Sequence, residues 1–432
     1  MRIAVVGSGI AGLASAWLLS RKHDVTLFEA NSYFGGHTHT HEVEQAGRRH
    51  RIDSGFIVHN PAHYPLLTRM FAQLGVASQP TTMSFSVHSE ASGLEYNAAT
   101  LDTLFCQRRN LLSPRFLGMV RELARFYREA PALLLRRDDM TTLGDYLGEH
   151  GYGAAFRDEH LIPMASALWS SPPTQILKFP VRYLVQFMAN HQMLQLSDRP
   201  QWRVVQGGSS TYVAALRAHW PVHERLNCPV FSIRRHHDGV EVDSAAGSER
   251  FEQIVLACHS DQSLALLADA NEREQSILGA MTYQANDTVL HTDASVLPRR
   301  RKAWAAWNAW LPRDPDAACT VSYCMNLLQG IDSPEPFVVT LNRTAAIDPE
   351  KVLARMRYQH PVYTQAAVDA QVRKAEIQGW RRTWFAGAYW GWGFHEDGMR
   401  SAVEVAAALG VHWPLRGGPL EPPEMRKQEL AA

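Results

Sequence analysis

Gly7, Gly9 and Gly12 stand in the run Gly7-Ser8-Gly9-Ile10-Ala11-Gly12, and Glu29 follows 20 residues after Gly9. Gly7 permits a tight turn, Gly9 lets an anion approach the backbone, and Gly12 lets a helix pack close to a strand. The N–H groups around Ile10 and Ala11, at the start of a helix, have no intrahelical acceptor and favour phosphate together with the helix dipole. A carboxylate at Glu29 accepts hydrogen bonds from ribose hydroxyls and repels a 2′-phosphate. This is the chemistry of a dinucleotide without that phosphate, either NAD or FAD.

Other groups could act on a substrate. His37, His39 and His41 fall at i, i+2 and i+4, so a strand would place them on one face. Imidazoles so arranged suit a metal, but no nearby carboxylate or cysteine completes a site, and a solvated or cofactor-facing strand edge is the simpler reading. The expected metal content is none. Near the C-terminus, Trp384 to Met399 reads as a strand and a glycine-rich turn that holds His395, Glu396 and Asp397, and Arg400 to Leu409 reads as the helix that follows. These three and His291 are the candidate bases.

The elements around these residues follow from pattern. Arg2 to Val6 and Val25 to Phe28 are short apolar strands, and Leu13 to Ser20 is helical. Ile3 to Leu19 is also apolar enough to suggest a leader or anchor. Its three glycines and its shortness relative to about 20 residues argue against that. Residues 38–58 read as a hairpin. Residues 108–137 carry eight arginines interleaved with leucines and aromatics. Such a basic amphipathic segment either lies on an anionic membrane surface or is an ordinary surface helix with solvated arginines. Residues 141–200 are helical and rich in Met and aromatics, and Met164, Tyr183 and Phe187 line an apolar tunnel or simply pack a core. Runs between 280 and 345 suggest an antiparallel sheet. Within it Pro298 to Lys302, followed by Trp304, Trp307 and Trp310, marks either a membrane interface or a basic turn on a strand. Pro349 to Arg357 is expected to be helical, and residues 416–432 to form a polar tail.

The chain has 432 residues with 43 Lys and Arg against 43 Asp and Glu, and five scattered cysteines without a CxxC pair. That allows two domains, argues against nucleic-acid binding, and fits a reducing cytoplasm.

GSGIAG followed by EANSYFGG, and FAGAYWGWGFHEDGM near the C-terminus, resemble the FAD-binding segments of flavin amine oxidases, phytoene desaturases and protoporphyrinogen oxidases. The resemblance implies an α/β fold: a Rossmann-type, glutathione-reductase-like FAD-binding domain with an inserted α+β substrate domain. It assigns residues 1–85, 201–265 and 380–415 to the first and 86–200 and 266–379 to the second. It implies FAD as cofactor, and cofactor contacts at Glu29, Ala30, Gly35, Gly36 and His37. Asp53, Gly55 and Phe56 match the segment that brings backbone near the flavin. Val230 and Ala257 match positions beside the adenosine half. Gly387 and Ala388 match the pyrophosphate and ribityl stretch, and Gly398 and Met399 the flavin N1–C2 edge.

Amine-oxidising members of the superfamily carry a lysine on a strand after the second cofactor segment. The corresponding stretch here, Gln284 to His291, has none. The complete pattern, with YFGGHTHT and LHTDASVLPRRRKAWAAWN, is similar to bacterial predicted NAD/FAD-binding proteins encoded beside methyltransferases related to cyclopropane-fatty-acid synthase. That similarity implies a lipid-like acyl substrate, dehydrogenated or isomerised, with Tyr389, Trp390 and Trp392 walling the chain, a methyltransferase partner, and peripheral membrane contact through 108–137. An amine or amino-acid oxidase, or a non-catalytic FAD-binding partner of a lipid-modifying enzyme, are the alternatives.

Overall fold

The structure, a computed structural model, describes residues 1–135, 141–169, 173–190, 192–195, 200–314 and 320–413. The expected tail, and Arg136 and Arg137 of the basic segment, lie outside them. The chain divides into two compact units, one of residues 1–36, 213–274 and those described from 374 onward, the other of 37–212 and 275–373. Residues 37–85 thus fall in the second unit.

The first unit is built on a parallel sheet of β1 (Arg2–Val6), β2 (Asp24–Phe28), β3 (Val222–Arg225), β4 (Gln253–Leu256) and β5 (Thr383–Phe385), in the spatial order β3-β2-β1-β4-β5. β1 and β4 lie inside, with Ile3, Ala4, Val5, Ile254, Val255 and Leu256 fully buried. That burial on both faces is why they read as unbroken apolar runs. Helix α1 (Ile10–Leu19) is buried along its whole length and packs against the C-terminal helix α2 (His395–Ala408). The strand order reverses direction between β1 and β4, and in open sheets of this kind ligands bind outside the carboxyl ends of strands at such a point.

The second unit holds a seven-stranded mixed sheet. Its order runs Val352–Val362, Thr282–His291, Val338–Leu341, Thr320–Cys324, Trp307–Leu311, Phe85–Ser89 and Glu95–Asn97. The pairing of Trp307–Leu311 with Phe85–Ser89 is parallel, and the others are antiparallel. The expected helix at Pro349 to Arg357 is corrected: only Pro349–Lys351 turns, and Val352–Val362 is an edge strand paired with Thr282–His291. The hairpin is Thr40–Gln45 with Arg48–Asp53. A helical region follows, with Pro114–Glu129, Leu143–Glu149, Ile162–Trp169 and Val181–Asn190 as its main helices. Among the described residues no helix is long and apolar enough to cross a membrane.

Candidate cofactor site

The turn after β1 is held from several sides. Gly7 has a φ of +96° and donates its N–H to Phe28 O at 2.9 Å. A side chain on Gly7 would meet the Ala257 backbone at 3.0 Å, and one on Gly12 would stand 1.8 Å from Gly7 O. A side chain on Gly9 would meet nothing within 4 Å. Two of the three glycines are therefore required by packing, and the third faces open space beside the first turn of α1. Because that turn starts at Ile10, the N–H groups of Ile10, Ala11 and Gly12 have no acceptor inside the helix. The geometry fits a pyrophosphate.

Glu29, at the end of β2, is buried and bonded. Its Oε2 accepts from Ser8 N–H at 2.9 Å and from the Ser8 hydroxyl at 2.5 Å, and its Oε1 accepts from Asn31 N–H and Nδ2 at 2.8 and 2.9 Å. The carboxylate is thus fixed at the strand end where ribose hydroxyls would reach it. Ser8 and Asn31 lie beside the residues that the sequence pattern marks and are not themselves part of it. A small hydroxyl between Gly7 and Gly9, and an amide two residues after Glu29, were the available signals.

Gly35 N–H reaches Ser8 O at 3.1 Å, and a side chain on Gly36, whose φ is +58°, would lie 3.1 Å from Gly9 Cα. The second glycine pair therefore seats against the first. Ala30 is the exposed residue next to Glu29. Cys228 N–H bonds Glu29 O at 2.8 Å, which brings the chain leading to Val230 to the end of β2. Ala257 follows β4 and donates to Val6 O at 2.8 Å. Its neighbour Cys258 has its thiol pushed up to about 11 by burial, so it stays protonated.

The C-terminal motif joins the same edge of the sheet. Gly387 follows β5 and donates to Ser401 Oγ at 2.9 Å. A side chain on Gly398 would lie 2.7 Å from Ile10 Cγ2, so the N-terminal turns of α1 and α2 touch. Met399 beside it is fully buried. Ala388 and Tyr389 begin a short turn in which the Tyr389 ring lies under Gly387, 2.1 Å from where a side chain there would start. Trp390 Nε1 donates to Phe385 O at 3.1 Å, and Trp392 is half-buried. One unit thus gathers Gly7, Gly9, Ile10, Ala11, Gly12, Glu29, Gly35, Gly36, Val230, Ala257, Gly387, Ala388, Gly398 and Met399 around one sheet edge.

Of the candidate bases, Asp397 lies in the first turn of α2 and reaches back to the N–H groups ahead of the helix. Its Oδ2 accepts from Trp392 and Phe394 N–H at 3.0 and 3.1 Å, and Oδ1 from Arg400 at 3.0 Å. Burial raises its pKa, opposed by the Phe394 bond and the Arg400 charge. His395 opens α2 and is half-buried, and Glu396 is buried beside it.

His37, Asp53, Gly55, Phe56, Met164, Tyr183, Phe187 and His291 belong to the second unit. Asp53 is fully buried. It accepts from Ser209 N–H at 2.8 Å, Ser209 Oγ at 2.8 Å, Thr40 Oγ1 at 2.6 Å and Gln329 Nε2 at 3.2 Å. Burial outweighs these bonds and pushes its carboxyl up to about 6. It ties the hairpin to the Gly207-Gly208 turn, where a side chain on Gly208 would strike Thr40 Cγ2 at 2.5 Å. A side chain on Gly55 would be 2.1 Å from His37 O, to which Phe56 N–H donates at 2.7 Å.

The His37 ring lies 4.9 Å from Tyr358 and 5.4 Å from His360, and His39 lies 4.1 Å from His41. His41 Nε2 bonds Ser54 Oγ at 2.8 Å, and its pKa falls to about 4 through burial and the neighbouring His39. His291 is enclosed in the sheet: Nδ1 accepts from Asp293 N–H at 3.0 Å and Nε2 bonds Thr340 Oγ1 at 2.8 Å. Burial lowers its pKa to about 4, and both ring nitrogens are occupied. Met164 and Phe187 are buried, and Tyr183 stacks on Tyr363 at 5.4 Å.

Residues 10–300 match the family described as flavin containing amine oxidoreductase. A provisionally named flavin-containing monoamine oxidase of Mycobacterium tuberculosis is 27% identical over 59% of this chain and 56% of its own length. An L-amino-acid oxidase of Siganus canaliculatus is 25% identical over 68% of this chain and 57% of its own. The chain therefore spans little more than half the length of these curated relatives. Among solved structures, a fatty acid isomerase of P. acnes that produces CLA aligns with a TM-score of 0.65 and 16% identity, covering 94% of this chain and 98% of that one. Cyclohexylamine oxidase from Brevibacterium oxydans aligns with a TM-score of 0.66 and 17% identity over the same shares. At such identities the likeness is one of fold.

Proposed function

The chain belongs to the flavin containing amine oxidoreductase family, and from that premise we propose that this FAD-dependent oxidoreductase dehydrogenates or isomerises a lipid-like acyl chain. FAD, when bound, supplies a hydride acceptor at N5. The residues of the chain hold it and handle protons. The N–H groups at Ile10 and Ala11 bind pyrophosphate, Glu29 binds the adenosine ribose, and the backbone at Gly398 and Met399 donates to the flavin edge where charge grows on reduction. The proton leaving the acyl chain goes to His395 or Glu396. His291 is unsuited to that step, since it is enclosed in its sheet and burial lowers its pKa to about 4.

The observation that supports an acyl chain over an amine is that the strand Thr282–His291 bears no lysine, and the helical region is apolar besides. From Phe116 to Met188 its buried side chains are nearly all apolar, with Met119, Phe126, Phe156, Met164, Phe187 and Met188 among them. The buried ionisable pair there is held: Glu159 by Ser92 and Arg115, His160 by Tyr96. An alkyl chain that leaves water for apolar surroundings gains about 0.8 kcal/mol per methylene, and an ammonium group gains nothing from the same transfer. Partnership with a methyltransferase that modifies the same chain rests on the sequence similarity alone.

The test is anaerobic mixing of the FAD-loaded enzyme with unsaturated fatty acids and phospholipids, and separately with amines and amino acids. The visible spectrum and the mass of the products are followed together. A shifted or new double bond supports the proposal. Bleaching by amines, with aldehyde or keto-acid products and unchanged fatty acid, refutes it in favour of an amine oxidase.

A further inference from the structure

Two basic motifs far apart in sequence meet in the second unit around one hairpin turn, residues 90–94. Arg109 Nη2 donates to Gly93 O in that turn at 3.1 Å. Arg115 pairs with Glu159 at 2.6 Å, and Glu159 accepts from Ser92 of the turn. From the other motif, Arg299 N–H donates to Glu95 at 2.7 Å and Arg300 pairs with the same carboxylate at 3.6 Å. Asp102 joins the two motifs, accepting from Arg108 and, at 3.0 Å, from Lys302. Arg301 lies over the Trp304 ring at 4.4 Å.

Seven cations thus stand against four carboxylates, Asp102, Glu159, Glu95 and Glu90 of the turn; Asp102 and Glu90 are exposed like the cations, and the other two are covered. The side chains of Arg115 and Arg300 are more than half exposed, whereas those of Glu159 and Glu95 are 7% and 5% exposed. The same surface shows leucines to solvent: Leu101 is 76% exposed and Leu112 87%, with Leu111 beside it at 49%. Leu111 and Leu112 follow Arg108 and Arg109 in a single short helical stretch, with the buried Asn110 between them.

We infer that this face docks on a bilayer surface bearing anionic phospholipids. Guanidinium groups match lipid phosphates, and leucines set among them reach past the headgroups into the acyl boundary. A nucleic acid would use the arginines and leave the leucines in water, and the chain as a whole carries no net charge to draw one in. This is independent of the acyl-chain reading, because attachment is measured without turnover.

The test is co-sedimentation of the full FAD-loaded chain with phosphatidylcholine vesicles, with and without phosphatidylglycerol, across a salt series. Binding is expected only with phosphatidylglycerol and is expected to fall as salt rises. Leu111→Ser with Leu112→Ser should weaken it about tenfold or more. Arg109→Gln with Arg301→Gln should weaken it by a similar factor, since each basic residue near an anionic surface adds a roughly fivefold gain. The flavin spectrum reports whether each variant is folded, and the charge variant decides should the leucine variant lose its flavin. No binding to anionic vesicles, or binding that neither variant reduces, overturns the inference. So does binding to duplex DNA that is as tight as vesicle binding and indifferent to the leucine changes.

Discussion

Gly9→Ala and Gly12→Ala should separate cofactor binding from folding, although the two glycines are three residues apart. At Gly12 the new methyl would lie 1.8 Å from Gly7 O and 3.3 Å from Ala257 Cβ. α1 would have to retreat by roughly 1.5 Å to restore ordinary contact, yet all its residues are buried and leave it nowhere to go. Over-packing of that kind costs about 1–3 kcal/mol. At Gly9 the backbone, with φ −64° and ψ 178°, suits alanine, no side-chain cap is lost, and the methyl meets nothing. The flavin-free protein should therefore change by no more than ~0.5 kcal/mol. The methyl would occupy the space that a pyrophosphate needs against the α1 N-terminus. Losing one charge-assisted hydrogen bond there costs about 1.5–3 kcal/mol, or roughly 10- to 150-fold in Kd. Titration of the deflavinated chain with FAD by flavin fluorescence, beside urea unfolding of the same preparation, gives both quantities. Wild-type FAD affinity in Gly9→Ala would refute the placement of the pyrophosphate. Equal destabilisation by the two substitutions would refute the packing argument.

Asp53 provides a pH test. Its folded pKa of about 6 lies above the unfolded value of about 3.9, so its contribution to stability is complete below about pH 4 and is lost as pH rises through 6. Asp53→Asn should flatten the pH dependence of the unfolding midpoint across that window, by up to ~3 kcal/mol; identical slopes would exclude the shift. His291→Phe strands the Asp293 N–H, whereas Thr340 Oγ1 keeps its bond to Ser322 Oγ at 2.8 Å, and should cost about 1–3 kcal/mol for the one group left unpaired. A lowered unfolding midpoint with an unchanged flavin spectrum is the expected result, and a midpoint equal to wild type would contradict the role in the sheet. Asp397→Ala leaves the Trp392 and Phe394 N–H groups ahead of α2 without their carboxylate and should destabilise by about 1–2 kcal/mol while speeding FAD release, measured by stopped-flow fluorescence.

What could be read from the sequence is what depends on neighbours in the chain. The positions of Gly7, Gly9, Gly12 and Glu29 follow from one strand, one turn and one helix, and β1, α1 and β2 stand where the pattern puts them. Pro349 to Arg357 was misread because Glu350, Lys351 and Arg355 favour a helix locally. The deciding partner, Thr282–His291, is about 70 residues away, and the strand lies at the sheet edge, where charged residues such as Arg355 and Arg357 guard against further pairing. The burial along Val352 to Arg357 alternates as an edge strand requires. Asp53 is a similar case. Its carboxylate is bonded by Ser209 and Gln329, 156 and 276 residues later, and no local pattern announces a pairing at that distance. His395, Glu396 and Asp397 were placed in a turn, but the helix starts at His395, because Asp397 binds the N–H groups of Trp392 and Phe394 before it.

The substrate is a separate question from the fold. Proteins named for a fatty acid and for a cyclic amine share this fold at nearly equal TM-scores of 0.65 and 0.66, so topology favours neither substrate. Discrimination falls to side chains, and the strand Thr282–His291 is the informative place. Its buried polar residues include Asn286, which bonds His360 and Asn342, and Thr288, and the strand bears no ammonium group. The bonded amide and the hydroxyl are both neutral and stay so across the pH range in which an amine exchanges its proton. A reaction at a C–H bond of an acyl chain places no charge on the bound substrate before the hydride leaves. An amine must first be deprotonated and kept neutral, which requires a titrating partner nearby. The strand's carboxylate and imidazole are not such a partner, since Asp287 faces solvent and both ring nitrogens of His291 are bonded, so the strand meets the first requirement and does not supply the second.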